Sequence, residues 1–166
     1  MPIGQLLHAL ESYLSRRVLI LRTIEEQNVS STELMEILTV GYTAITLRRR
    51  DPSQWRPNEL EQLAAAFGLS SEAISGLKIV AARINLLPTF IRAKLLKEAC
   101  LSKQKIVRYH NYNNWPYADL ERLACILRIW QDSKKLDSLL ASAKNRRVKM
   151  RQQKALIVAC KAGHIH

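Results

Sequence analysis

Apolar residues recur at positions 3, 6, 7, 10, 14, 18, 21 and 24. That spacing predicts a helix of about six turns, with a break near Ser15 as the one weak point. The stretch Gln27-Asn28-Val29-Ser30 ends it, and Ser30 or Ser31 is placed to cap a helix running to Leu38. Thr39-Val40-Gly41 reads as a tight turn, and Tyr42–Arg50 as the next helix. A loop over 51–56 leads to Pro57 at a first helical position. Leu60, Leu63, Ala64 and Phe67 share one side of a helix over 59–67, which Gly68 terminates. Ser70 or Ser71 then opens a single helix to about Asn85, and Pro88 separates it from a helix beginning near Thr89.

In the second half, Leu95, Leu96 and Ala99 form the apolar side of one helix, and Leu101 fills the turn after it. Ser102 stands where an N-cap hydroxyl would accept from an orphan backbone N–H. Ile106 and Tyr109 are the inward positions of the following helix. A loop over 112–116 precedes a helix from about Tyr117 to Leu127, and Asp132 or Ser133 caps a last one with Leu136, Leu139 and Leu140 as its stripe. No alternating run and no Asn-Gly or Asp-Gly turn suggests a strand. The expected fold is all-α.

The two halves echo each other. Leu34, Met35, Leu38, Val40, Gly41 and Ile45 match Leu95, Leu96, Ala99, Leu101, Ser102 and Ile106 at a spacing of 61. The loop after the second motif is one residue shorter, and from the tryptophan onward the spacing is 60. Trp55/Trp115, Leu60/Leu120, Glu61/Glu121, Leu63/Leu123 and Ala64/Ala124 are identical pairs; Glu59/Asp119, Phe67/Leu127 and Leu69/Ile129 are conservative ones. Two helix-turn-helix patterns, each followed in step by W-x4-L-E-x-L-A, indicate an internal duplication.

With the inward positions assigned, the 3.6-residue period leaves Lys103, Gln104, Val107, Arg108 and Asn111 on the outer side of one short helix. Such a face suits a major groove: Gln and Asn can bond adenine in pairs, Arg or Lys can bond guanine, and Val can touch a thymine methyl. The matching side of 42–50 offers Tyr42, Thr43, Thr46 and Leu47, with Arg48, Arg49 and Arg50 behind them. The three arginines point in different directions around the helix, so they read as a phosphate clamp and not as base readers. Trp55 and Trp115 read as core anchors beneath these helices. His8 and His110 read as single surface residues, while His164 and His166 end the chain without a catalytic setting.

The charge balance of 26 − 14 = +12 favours a polyanionic partner, nucleic acid before an acidic membrane surface. More than half of that charge lies in 142–166, which holds seven Lys/Arg and no acidic residue around an apolar run at 155–160. This basic segment reads as an interaction arm, partly helical. Cys100, Cys125 and Cys160 are odd in number and widely spaced, with no C-x-x-C pair. They read as reduced, buried thiols, Cys100 being a small filler of the turn, and with the absence of a leader or spanning run they suggest a cytoplasmic protein. No phosphate loop, nucleophile elbow, metal spacing or carboxylate pair points to an enzyme, and no cofactor or small-molecule effector is implied.

Each copy resembles the lambda-repressor-like helix-turn-helix domain of the Cro/repressor (XRE) type. The carrying residues are LMEILTVGYTAITLRRR…W…ELEQLAAAFGL and LLKEACLSKQKIVRYHN…W…DLERLACILRI, and together the copies cover roughly 12–140. The resemblance implies two tandem domains of about five short helices each, at 1–70 and 71–141, with the second helix of each motif in the major groove. It implies double-stranded DNA as partner, with contacts from Gly41, Tyr42, Thr43, Thr46, Leu47 and Arg50, and from Ser102, Lys103, Gln104, Val107, Arg108 and Asn111. Arg49 joins them as a clamp. The resemblance implies a transcriptional regulator of repressor type and, as a further partner, a second copy of the chain in a homodimer. The sequence departs from the family pattern in three places. Ser31 and Arg92 replace a usual Gln, Thr39 and Cys100 replace the turn glycine, and Arg48 stands at a normally apolar position that Tyr109 fits. The competing reading is a helical adaptor or assembly protein whose basic tail alone touches nucleic acid.

Overall fold

The computed structural model describes residues 2–133 and 135–162. Among them there is no strand, only ten α-helices and three single turns of 3-10 helix. The helices are α1 (Pro2–Glu26), α2 (Ser31–Leu38), α3 (Tyr42–Arg50), α4 (Pro57–Ala66), α5 (Glu72–Ser75), α6 (Val80–Leu86), α7 (Thr89–Glu98), α8 (Lys103–Arg108), α9 (Tyr117–Asp132) and α10 (Lys135–Ala162). One apolar core runs through both halves, from Ile3 to Leu139, because α4, α5, α6 and α9 all pack on α1.

α1 is continuous through Ser15, against the expected weak point. Ser15 lies on the outward side, where a poor helix former costs little. The inward side at that level is Tyr13 and Arg17, both buried, while Val18 is exposed. The stripe through positions 14 and 18 is thus one residue off the buried face. It missed Arg17 because a guanidinium carries no apolar signal. Arg17 lies over the Tyr117 ring at 4.3 Å and donates to the Pro52 carbonyl, so it joins α1 to both halves of the chain. Burial holds this guanidinium below its ordinary value and pushes the Tyr13 hydroxyl up to about 12.

The segment between the halves is not one helix. It is α5, a 3-10 turn over Gly76–Ile79, and α6. The Ser75-Gly76 pair is a weak helix former. The tighter 3-10 period then lets Ile74, Leu77, Val80, Ala81 and Ile84 all face the core with no exposed surface. α9 continues past Leu127 to Asp132, since Trp130 is fully buried and its indole N–H donates to Glu98 at 2.7 Å. Lys135 also reaches Glu98, at 3.1 Å, and ties the start of α10 to α7. Ser133 closes α9, its hydroxyl donating to the Ile129 carbonyl at 2.5 Å. Of the expected α10 stripe, Leu139 is buried, while the side chains of Leu136 and Leu140 lie outside the described ones.

The two halves repeat one another in local structure. α2 and the last two turns of α7 correspond, α3 and α8 start 61 residues apart, and α4 and α9 start 60 apart. Thr39 and Cys100 close the helices before the turn, both left-handed at φ 52° and 54°. Asp51 accepts from the Ser53 N–H at 3.0 Å, and Asn111 from the Asn113 N–H at 3.1 Å, each capping a 3-10 turn. Trp55 and Trp115 are buried beneath those turns, as core anchors should be.

Candidate nucleic-acid interface

α3 and α8 are positioned by different chemistry at the same place. Ile45 and Ile106 hold their inner sides in the core. The next inward residue is Arg48 in α3 and Tyr109 at the end of α8, and the acidic partner is Glu59 in α4 and Asp119 in α9. Arg48 donates to both Glu59 oxygens, from Nε at 2.7 Å and from an Nη at 2.5 Å. The Tyr109 hydroxyl donates to Asp119 at 2.5 Å, and its ring lies 4.2 Å from that of Trp115. Burial, then the Asp119 carboxylate, raises the Tyr109 hydroxyl pKa. Lys105 adds a longer contact to Asp119, at 3.4 Å.

This arrangement corrects the arginine clamp. Arg48 is 8% exposed and engaged inside the protein, so it offers nothing to a phosphate. An arginine can fill an apolar position here because Glu59 supplies a matching fork acceptor. Arg49 is on the outside but donates to the Val29 carbonyl, bracing α3 against the connection between α1 and α2. Arg50 is exposed and has no side-chain partner among the described residues.

The remaining sequence-derived site residues lie on exposed surface. On α3 these are Tyr42, Thr43, Thr46 and Leu47, with Gly41 before them; on α8 they are Lys103, Gln104, Val107 and Arg108. Lys103, Gln104 and Arg108 make no side-chain hydrogen bond or ion pair among the described residues. Ser102 and Asn111 are exposed too, yet both have structural duties. The Ser102 hydroxyl accepts from the Lys105 N–H at 3.1 Å, and the Asn111 carbonyl caps the turn described above. Thr46 donates to the Tyr42 carbonyl within its own helix.

The two halves also grip one another reciprocally. The 3-10 turn after α3 packs on α9, and the turn after α8 packs on α4. In the second of these contacts, Asn58 N–H donates to the Asn113 side-chain carbonyl at 2.9 Å and the Tyr112 hydroxyl donates to Glu61 at 2.7 Å. Lys78 bridges to Glu61 at 3.1 Å and lies 4.9 Å from the Tyr112 ring centre. Burial and the Glu61 carboxylate push the Tyr112 hydroxyl up to about 12. Burial works against ionisation of Glu61, but donation from Tyr112, Lys78 and Ser75 outweighs it and holds the carboxyl below its ordinary value. The contact is reciprocal at the level of elements, each turn meeting the long helix that follows the tryptophan of the other half. Sequence reading missed it, because Asn113 and Tyr112 look like loop residues until α4 is placed against them.

Other expectations change as well. Cys100 and Cys125 are exposed, not buried. The left-handed residue of the turn faces outward, and its neighbour Leu101 is the filler; Cys125 lies just off the buried face of α9. Cys160, His164 and His166 lie outside the described side chains. His110 is exposed but not single, with Nε2 at 3.1 Å from the Asn85 amide. α10 carries the basic segment as helix to Ala162, and its described side chains over 141–154 are all exposed. The side chains of Arg146, Arg147, Lys161 and the 155–160 run are outside those described. No described helix is long and apolar enough to cross a membrane. No family model, curated protein or solved structure matches the chain.

Proposed function

We propose that this chain is a double-stranded-DNA-binding protein, a transcriptional regulator of repressor type, which presents the outer sides of α3 and α8 to the major groove. The observation that carries this reading is a contrast within α8. Its inner residues are fixed by core packing and by Asp119, while Lys103, Gln104 and Arg108 stand exposed and unengaged among the described residues. Rigid seating of a short helix whose free groups match base edges is what direct readout requires. The net charge of +12 and the exposed lysines and arginines of α10 supply the sequence-independent phosphate attraction.

The helical-adaptor reading draws support from one feature, the exposure of Tyr42, Leu47 and Val107 at 64%, 52% and 68%. Binding of random duplex DNA, random RNA and a nucleic-acid-free control at two salt concentrations separates the readings. Neutralising about 6–10 phosphates makes duplex affinity fall by about 10³–10⁵ between 50 and 200 mM salt. Absence of duplex binding at low salt sinks the proposal. On a selected site, Gln104→Ala and Arg108→Ala are each expected to cost about 1–3 kcal/mol and to relax preference at particular bases. Arg50→Ala is expected to weaken all sequences alike.

A further inference from the structure

Resting on the DNA-binding reading, we infer that one chain recognises one asymmetric duplex site with halves of different kind. α3 reads an A·T-rich half through thymine methyls, and α8 reads a half containing guanine and adenine through hydrogen bonds.

The pairing of outer residues follows from the 61-residue offset: Tyr42 with Lys103, Thr43 with Gln104, Thr46 with Val107, Leu47 with Arg108. On α8 three of the four are long polar side chains, exposed and unengaged among the described residues. Gln104 can pair with adenine, and Arg108 or Lys103 with guanine. On α3 the same positions hold a phenol, two threonines and a leucine. Thr46 has already donated its proton to the Tyr42 carbonyl at 3.0 Å. Leu47 has no polar atom at all. These four side chains cannot reward guanine with a bidentate bond, and Arg50, past them at the helix end, is assigned to a phosphate; the four complement the methyl groups that thymines place in the major groove. Asn111 does not even out the difference, because its carbonyl is occupied by the Asn113 N–H at 3.1 Å.

Unlike halves would matter little if the two helices moved independently. They do not: the turns following α3 and α8 each pack on the other copy, the Asn58–Asn113 and Tyr112–Glu61 hydrogen bonds cross between the copies, and Arg17, bonded to Pro52 in the first, lies over the Tyr117 ring of the second. A single chain therefore holds two fixed, non-identical readers, where a symmetric repressor needs two chains and reads a palindrome.

The test is selection of sites from a random duplex pool by the full chain, with light scattering to count chains per duplex. The expected result is one chain on a site lacking two-fold symmetry, one half rich in A·T and the other containing G·C. Reflecting either half to make a palindrome is expected to lower affinity by about tenfold or more. A second arm uses Tyr42→Lys/Thr43→Gln/Thr46→Val/Leu47→Arg, which gives α3 the outer residues of α8. All four positions are surface-facing, and circular dichroism checks that the variant folds. It is expected to select a palindrome of two α8-type halves. A palindrome bound by one wild-type chain overturns the inference, as does a folded variant that selects the wild-type site. If the variant does not fold, the wild-type selection decides alone. Duplex binding without sequence preference overturns this inference and leaves the DNA-binding reading standing; no duplex binding removes both.

Discussion

Removing the Arg48 side chain while keeping Glu59 is the most informative perturbation of the scaffold. The pair is buried, with side-chain exposures of 10% and 6%, and Arg48 makes two bonds to the carboxylate at 2.7 and 2.5 Å. Arg48→Met keeps most of the volume and the helical backbone but leaves a buried carboxylate without its counter-ion. Glu59 would retain only the Arg56 N–H, now at 3.0 Å. Stranding one partner of a buried ion pair costs about 3–5 kcal/mol. Arg48→Met/Glu59→Gln leaves no buried charge and keeps an acceptor for Arg56, so it is expected to cost less than Arg48→Met alone. Grafting the other copy's solution, Arg48→Tyr/Glu59→Asp, is expected to recover part of the loss. Urea unfolding at neutral pH reads all three, through midpoints at constant slope. A cost below about 1 kcal/mol for Arg48→Met would show that the pair behaves as an exposed one. The same would follow if the double variant were the less stable of the two.

Three further outcomes follow from the geometry. Thr39 and Cys100 hold left-handed backbone at φ 52° and 54°, so Thr39→Gly and Cys100→Gly are each expected to raise stability, by up to about 1 kcal/mol in denaturant melts. The carboxyls of Glu61 and Glu98 are held below their ordinary 4.5 by donors that outweigh burial. Stability from a depressed carboxyl is fully present above the unfolded value and is lost as pH falls through the folded one. Thermal midpoints are therefore expected to drop below pH 4.5, and Tyr112→Phe, which removes one donor to Glu61, is expected to lessen that acid sensitivity. Deleting 142–166 is expected to leave the core folded by circular dichroism, to weaken duplex affinity and its salt slope, and to leave the preferred sequence unchanged.

Features governed by neighbours in sequence were legible before the structure. Ser102 caps α8, Pro57 begins α4 and Gly68 takes a left-handed φ of 66° after it, because each depends on chemistry within a turn of the residue itself. What could not be read depends on distant partners. Arg48 looks like one member of a solvated arginine run until Glu59, 11 residues on, is brought beneath it. A signal was present even so: Arg48 aligns with Tyr109, and Glu59 with Asp119, so the two columns change together. Arg17 was hidden for the same reason, its partners being Pro52 and Tyr117. The interrupted helix at Gly76 was missed because a period of three and one of 3.6 differ by only a fraction of a residue over a single turn.

The central claim is that the outer sides of α3 and α8 meet duplex DNA, and chemical-shift mapping of the full chain tests it most directly. Titration with a random-sequence duplex at low salt is expected to perturb the amides of Tyr42–Arg50 and of 102–111 together, with further changes along α10. The core positions Ile74, Leu77 and Ile84 should stay unchanged. Shifts confined to α10, with both short helices silent, would contradict the claim and favour an adaptor whose basic helix alone touches nucleic acid.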